Sequence, residues 1–395
     1  MSTPVPPTPP APRPKRSLAS VLALPVLLIL IGGGVYAYFY FTTKPTAPPD
    51  PNNLFAGYVR DAARNSTLAP EFQDDGSNGK LVAGKPKDGK YFDPPELLFA
   101  EVAGDDPDKR AVEWAAFLKH LSAKTGKPAR FLKQLAPPPE PTAPKPPANP
   151  DDREEQPVNP AEVGRIRTLQ DQLDALKSGK LHVAAFSTGQ VSTAVNAAGF
   201  VPLFGPADQD GKFGYEMVVI VPKGSPAKTV ADLKGKTVGL VALSSNSGAK
   251  APLVIFRDEF NLKPFDDYTV TLTGRHQSSI QQVATGKLDA ACVASDLLKT
   301  AVASGLIEEG DVRVIYTSQQ TYPALCFGVA NNLDPALKAK VAEAFATFAP
   351  TGPDSLWETR YKGQGRVKFA PVNYQKDWEP VRTIEKKLAE QLKAK

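Results

Sequence analysis

The chain has 395 residues, 42% of them hydrophobic, with 40 prolines, two cysteines and a net charge of +5. That is enough apolar material for two core-bearing lobes, and so many prolines mean that part of the chain stays outside any core. Three of the positive charges, Arg13, Lys15 and Arg16, fall in the first 43 residues, which contain no acids, so no basic block speaks for nucleic acid.

Residues 1–16, rich in proline and ending Arg13-Pro14-Lys15-Arg16, read as a cytoplasmic tail. Residues 17–43 read as a transmembrane signal anchor. Leu18 to Phe41 is 24 residues without a charge, enough to cross a hydrocarbon layer of about 30 Å as a helix. Its basic flank is N-terminal, and Tyr36, Tyr38, Phe39, Tyr40 and Phe41 form an aromatic belt at the other end. This pattern places the N-terminus in the cytoplasm and the remainder outside, as a single-pass protein held in the bilayer by residues 18–41. A cleaved signal peptide is the competing reading, but the apolar run exceeds the usual core of about 7–15 residues, and aromatic residues stand where small ones should mark the cleavage site. Residues 44–93 read as a tether, about 40 Å root-mean-square if wholly random coil, although Leu54–Val59 and Tyr91-Phe92 are apolar enough to pack.

A first lobe is expected over 94–222. Leu97–Val102 forms a strand, Asp106 caps a helix and Pro107 takes its first position. In that helix Trp114, Phe117, Leu118 and Leu121 recur at i, i+3, i+4 and i+7, and Gly126 ends it. A second strand covers Ala129–Leu132. Residues 136–160, rich in proline and charge, form an insertion that cannot build a core. Ile166, Leu169, Leu173 and Leu176 resume a helix that stops at Gly179, and Tyr215–Pro222 is a β-rich run leading to a second lobe over 223–318. Gly179-Lys180-Leu181 before one apolar strand is repeated by Gly286-Lys287-Leu288 before another, the trace that two similar α/β lobes leave. Val312–Thr317 and then Ala324–Ala330 bring the chain back, so that 319–395 returns to the first lobe and ends in helices. Leu337, Val341, Phe345 and Phe348 stripe one of them, and Trp378, Val381, Ile384, Leu388 and Leu392 stripe the last. Two crossings imply a hinge with a ligand cleft between lobes.

The stretch richest in chemistry is Leu233–Pro252. A buried strand, Lys236–Leu243, breaks into a polar loop, Ser244–Gly248, and opens a helix in whose first turn Pro252 must lie, because an interior proline lacks the amide and clashes with the preceding turn. The amides of about Ser247 to Lys250, the hydroxyls of Ser245 and Ser247 and the positive end of the helix dipole suit an anion with several oxygens. Capping of the helix by these residues is the alternative. Downstream a strand, Tyr268–Thr273, leads to Gly274-Arg275-His276-Gln277-Ser278-Ser279, a short helix and Gly286-Lys287-Leu288-Asp289-Ala290-Ala291.

Ser245-Asn246-Ser247-Gly248 with Pro252 four residues on, followed by Arg275-His276-Gln277 and the Gly-Lys-Leu-Asp-Ala-Ala run, resembles the phosphonate-type substrate-binding proteins of bacterial ABC transporters, from about Pro94 to the C-terminus. The resemblance implies a two-lobed α/β periplasmic-binding-protein fold. It implies that Ser245, Asn246, Ser247, Gly248 and His276 bind a phosphate, phosphite or phosphonate-like oxyanion, with an ABC permease as partner, no cofactor and no catalysis. Asn246 replaces the family's threonine and can still donate a hydrogen bond, whereas Gln277 departs from its acid. Ser187 and Thr188, which end the first-lobe strand, are candidates for the opposing face. Tyr215 matches a family tyrosine at the crossing strand, and Asp296 is a further candidate. Ala294 stands where relatives that hold an amino group carry an acid, which counts against an aminoalkyl ligand.

A membrane-tethered sensor or scaffold using the same fold for another ligand is the alternative function. An enzyme would need Ser247, His276 and Asp296 to act as a hydrolytic group, and no Gly-x-Ser-x-Gly elbow exists. His120, His182 and His276 are far apart without partners at ligand spacing, so no metal site is expected. Cys292 and Cys326 are readable either as a disulfide or as two buried thiols.

Overall fold

The computed structural model describes residues 67–74, 81–86, 88–101, 107–133 and 168–393. The tail, the apolar run Leu18–Phe41, the segment Leu54–Val59, Asp106, the insertion 136–160 and Ile166 lie outside the described residues. Among the described residues no helix is long and apolar enough to cross a membrane.

Beside the short pair β1, Phe72–Asp74, and β2, Ala83–Pro86, two larger sheets organise the described residues. Six strands stand in the order β13-β6-β12-β5-β3-β4, where β3 is Leu97–Glu101, β4 Ala129–Phe131, β5 Val183–Phe186, β6 Phe200–Ala207, β12 Cys326–Ala330 and β13 Lys368–Pro371. The second sheet has the order β11-β7-β10-β8-β9, where β7 is Tyr215–Pro222, β8 Thr237–Leu240, β9 Thr269–Leu272, β10 Ala290–Ala294 and β11 Val312–Tyr322. Each sheet has a parallel trio, β4-β3-β5 and β9-β8-β10, extended by antiparallel strands through β12 and β7. The two lobes therefore share one plan, and the chain crosses between them in the segments from β6 to β7 and from β11 to β12.

The repeated Gly-Lys-Leu run occupies equivalent places in that plan, just before β5 and just before β10. The residue that follows it also has one job in both lobes. Nδ1 of His182 accepts the amide of Leu98 at 3.0 Å, and a carboxylate oxygen of Asp289 accepts the amide of Thr237 at 2.8 Å. Each side chain thus satisfies a backbone donor within the first two residues of the neighbouring strand. His182 can accept there because burial keeps its ring neutral, and its Nε2 then donates to the Gly179 carbonyl at 3.0 Å.

The first lobe's core is aromatic. Trp114, Phe117, Leu118 and Leu121 are all buried, as their spacing requires, although the helix is drawn as two, Pro107–Glu113 and Ala115–Thr125, broken at Trp114. Phe99, Phe327, Phe345 and Phe369 close around them, with Phe99 and Trp114 meeting edge to face at 4.9 Å. The second lobe packs Val218, Ile220, Ile280, Val283 and Val293 together.

Four expectations need correction. Tyr215–Pro222 belongs to the second sheet, so the first crossing lies between β6 and β7 and not after residue 222. β11 runs to Tyr322, so the return crossing falls within 323–325. The last helix, Glu379–Lys393, does not return to the first lobe but lies along the second-lobe helix Ala251–Phe260, where Lys387 and Gln391 reach Asp258 at 2.9 and 2.7 Å. Finally, part of 44–93 is built into the fold. Phe72–Asp74 pairs with Ala83–Pro86, the amide of Phe92 donates to the Asn332 carbonyl, and the amide of Ala69 donates to that of Asn196. Cys292 and Cys326, left open by the sequence, are free buried thiols in different sheets.

Candidate functional site

A cavity of about 280 Å³ opens between the lobes at the C-terminal ends of the parallel strands β5, β8, β9 and β10. Each strand gives way there to a helical segment: Thr188–Gln190, Asn246–Lys250, His276–Ala284 and Ser295–Ala303. Four N-terminal ends converge on one space, and their unpaired donors and dipoles favour negative charge there.

Its walls include Ser187, Thr188, Tyr215, Ser245, Asn246, Ser247, His276 and Asp296. These residues come from both sheets and span more than a hundred positions of sequence. Gly248 is not in the wall. A Cβ on it would lie 2.5 Å from Cβ of Val241, so this glycine lets the helix start approach the end of β8, and its carbonyl accepts the Val241 amide at 2.9 Å.

The loop after β8 separates the two serines by role. Ser245 is the cap: its hydroxyl accepts the amide of Gly248 at 3.1 Å, and its carbonyl accepts that of Lys250. The run of free amides expected from Ser247 to Lys250 is therefore shorter than the sequence implied, because two of them are taken. Helix opening is by a π turn, Asn246–Lys250, that passes into Ala251–Phe260 with Pro252 in its first turn. Ser247 is buried and is left to the cavity, facing the Tyr215 phenol. Asn246 is 2% exposed, and neither its amide oxygen nor its amide nitrogen completes a hydrogen bond. A buried polar side chain without a protein partner costs about 1–3 kcal/mol, and in a cavity wall it is free to hydrogen-bond what enters the cavity.

His276 completes this wall. Its Nδ1 accepts the amide of Ala294 at 3.3 Å, and its Nε2 lies 3.4 Å from the Ser245 hydroxyl. Burial lowers its pKa to about 4, so the ring is neutral at physiological pH and carries its proton on Nε2. The Ser245 oxygen then accepts from both Gly248 and His276. Its own hydrogen remains to be donated, and the geometry makes Ser245 a donor towards the cavity.

The opposing wall differs from expectation. The Thr188 hydroxyl donates to the Pro323 carbonyl at 2.7 Å, and the Thr188 carbonyl accepts Trp378 Nε1 at 3.0 Å. Its side-chain proton is thus spent on the return crossing and is not offered to an anion. The Ser187 amide donates to the Gln190 side chain at 3.2 Å. Burial raises the Tyr215 phenol above its usual range, tempered by the neighbouring hydroxyls of Ser247 and Thr188. Burial also raises Asp296 to about 6, against the pull of the Arg366 guanidinium. An acid so placed is partly protonated near neutrality and is compatible with an anion as neighbour.

Residues that the sequence reading missed are Arg110, Arg360, Tyr361 and Gln364, which line the first-lobe side. The available signal was Glu101, an acid at the end of the apolar strand Leu97–Glu101. A carboxylate buried there requires cations, but nothing local says which of the chain's arginines answer it.

Residues 159–378 match the family described as ABC transporter, phosphonate, periplasmic substrate-binding protein. Among solved structures, the chain is similar to a binding protein component of an ABC phosphonate transporter from Pseudomonas aeruginosa, with 18% identity over 76% of this chain and 94% of that one and a TM-score of 0.56. It is similar to PhnD1 from Prochlorococcus marinus in complex with methylphosphonate, at 12% identity over 75% and 99% of the two chains and a TM-score of 0.56. A Xanthomonas citri protein bound to chloride ion aligns at 14% identity over 75% and 100%, again with a TM-score of 0.56. These likenesses show the two-lobed fold.

Proposed function

The chain belongs to the family of ABC-transporter phosphonate periplasmic substrate-binding proteins, and from that premise we propose that it captures phosphate, phosphite or a simple phosphonate outside the cytoplasm and presents it to a membrane permease. The observation that carries the ligand class is the buried, unpartnered amide of Asn246 beside the Ser245 and Ser247 hydroxyls at a helix N-terminus. Neutral donors and a helix end, with a neutral His276 behind them, hold an oxyanion reversibly. A relative of the same fold in complex with methylphosphonate supports this reading. In the proposal, the apolar run Leu18–Phe41 with Arg13, Lys15 and Arg16 on its inner flank keeps the binding unit at the membrane, near the permease.

The experiment is thermal unfolding of ligand-stripped protein with methylphosphonate, phosphite, phosphate or, as a control, chloride. At a hundred times its dissociation constant a true ligand adds about 2.7 kcal/mol, a rise of a few degrees in Tm. If none of the three oxyanions raises Tm above the chloride control, the ligand assignment fails.

A further inference from the structure

The cavity extends past the loop of Ser245 and Ser247 to a first-lobe wall that carries Arg110, Arg360 and Tyr361. Both guanidiniums are held in place from behind by Glu101, whose side chain is 1% exposed. Arg360 Nε and Nη2 donate to one Glu101 oxygen at 3.2 and 2.9 Å; the other oxygen accepts Trp114 Nε1 at 2.8 Å and lies 3.8 Å from Arg110 Nε. Arg110 is also paired with Glu113. Arginines gripped in this way have fixed orientations, and each still forms part of the cavity surface. A second observation is independent of charge. The Tyr361 hydroxyl is buried and completes no hydrogen bond, although Tyr361 lines the same wall.

Resting on the oxyanion reading above, we infer that this wall is a second subsite, and that it takes an anionic oxygen group at the far end of the ligand. A carboxylate there would accept the Tyr361 proton and lie beside two fixed guanidiniums. The ligand class is then a phosphonate or phosphate ester with an acidic tail. A bare tetrahedral anion would fill only part of the cavity, which is near the size of sites for small organic molecules. An ammonium tail finds the opposite surroundings, because among the described residues Asp296 is the only acid in the wall, whereas Arg110, Arg275 and Arg360 are all cations.

The test is calorimetric titration of the full chain with methylphosphonate, phosphonoacetate and 2-aminoethylphosphonate. Phosphonoacetate is expected to bind at least tenfold more tightly than methylphosphonate, with the aminoethyl compound weakest. Tyr361→Phe, which keeps the ring and its packing, is expected to shrink the ratio between phosphonoacetate and methylphosphonate several-fold. Equal affinities, or a preference for the ammonium tail, overturn the second subsite and leave the oxyanion reading intact; so does an unchanged ratio in Tyr361→Phe. Binding by none of the three overturns both.

Discussion

Glu101→Ala is expected to lower the stability of the protein by about 3–5 kcal/mol, the loss typical when one member of a buried ion network is removed. Burial alone would raise this carboxyl, yet Arg360 and Arg110 hold it below its usual range, with the Trp114 N–H adding to the effect. Removing the carboxylate takes a buried counter-charge from two largely buried guanidiniums, of which Arg110 keeps Glu113, and an acceptor from an indole N–H. A group with a depressed folded pKa stabilises above its ordinary range, and that stabilisation disappears as pH falls through its folded value. The mutational loss should therefore be full at pH 7 and shrink in acid. Denaturant unfolding at both pH values measures it. Glu343→Ala, which removes an exposed, solvent-screened pair with Lys124, should leave stability nearly unchanged. A Glu101→Ala loss no larger than that of Glu343→Ala would mean that Glu101 does not anchor the wall.

Gly189→Ala should leave stability nearly unchanged while weakening ligand binding about fivefold to a hundredfold. A Cβ on Gly189 would sit 2.3 Å from the Ser244 carbonyl and 2.7 Å from the Asn246 amide nitrogen. Gly189 follows β5 of the first lobe, and Ser244 and Asn246 follow β8 of the second, so the clash exists only where the lobes meet. Its carbonyl is also gripped from across the cleft by Lys250, a buried lysine paired with Glu385 at 2.6 Å. On the hinge reading, in which the empty lobes part, overpacking of about 1–3 kcal/mol at a contact between them is subtracted from binding, not from folding. Titration calorimetry with methylphosphonate beside denaturant unfolding separates the two. Equal affinity in the variant would show that ligand is held without this contact.

What was legible in the sequence was local. Tyr215–Pro222 and the buried stripe from Trp114 to Leu121 were readable because apolar periodicity reports the element and its buried face. Ser187, Ser245 and His276 were readable because strand-to-helix turns in a parallel sheet all face the same end. Sheet membership was not. Tyr215–Pro222 looks the same whichever lobe it joins, and only its pairing with Ala291–Ala294 assigns it. The arginine wall was hidden for a similar reason: Glu101 and Arg360 are 259 residues apart, and nothing beside Arg360, at the end of the short helix Leu356–Thr359, marks the partner it will meet. The division of labour between Ser245 and Ser247 was also out of reach, since either could have capped the helix until the π turn selected Ser245.

The central claim is that an oxyanion is held by the turn from Ser245 to Ser247 with His276, and binding and unfolding measured together on Ser247→Ala test it most directly. Ser247 is buried in the cavity wall and is not the cap, so the variant should lose a charge-assisted hydrogen bond of about 1.5–3 kcal/mol, roughly tenfold to a hundredfold in affinity for methylphosphonate. Its unfolding free energy should stay within about 1 kcal/mol of the parent. A Ser247→Ala protein that binds methylphosphonate as tightly as the parent would contradict the assignment of the site, even with the two-lobed fold unchanged.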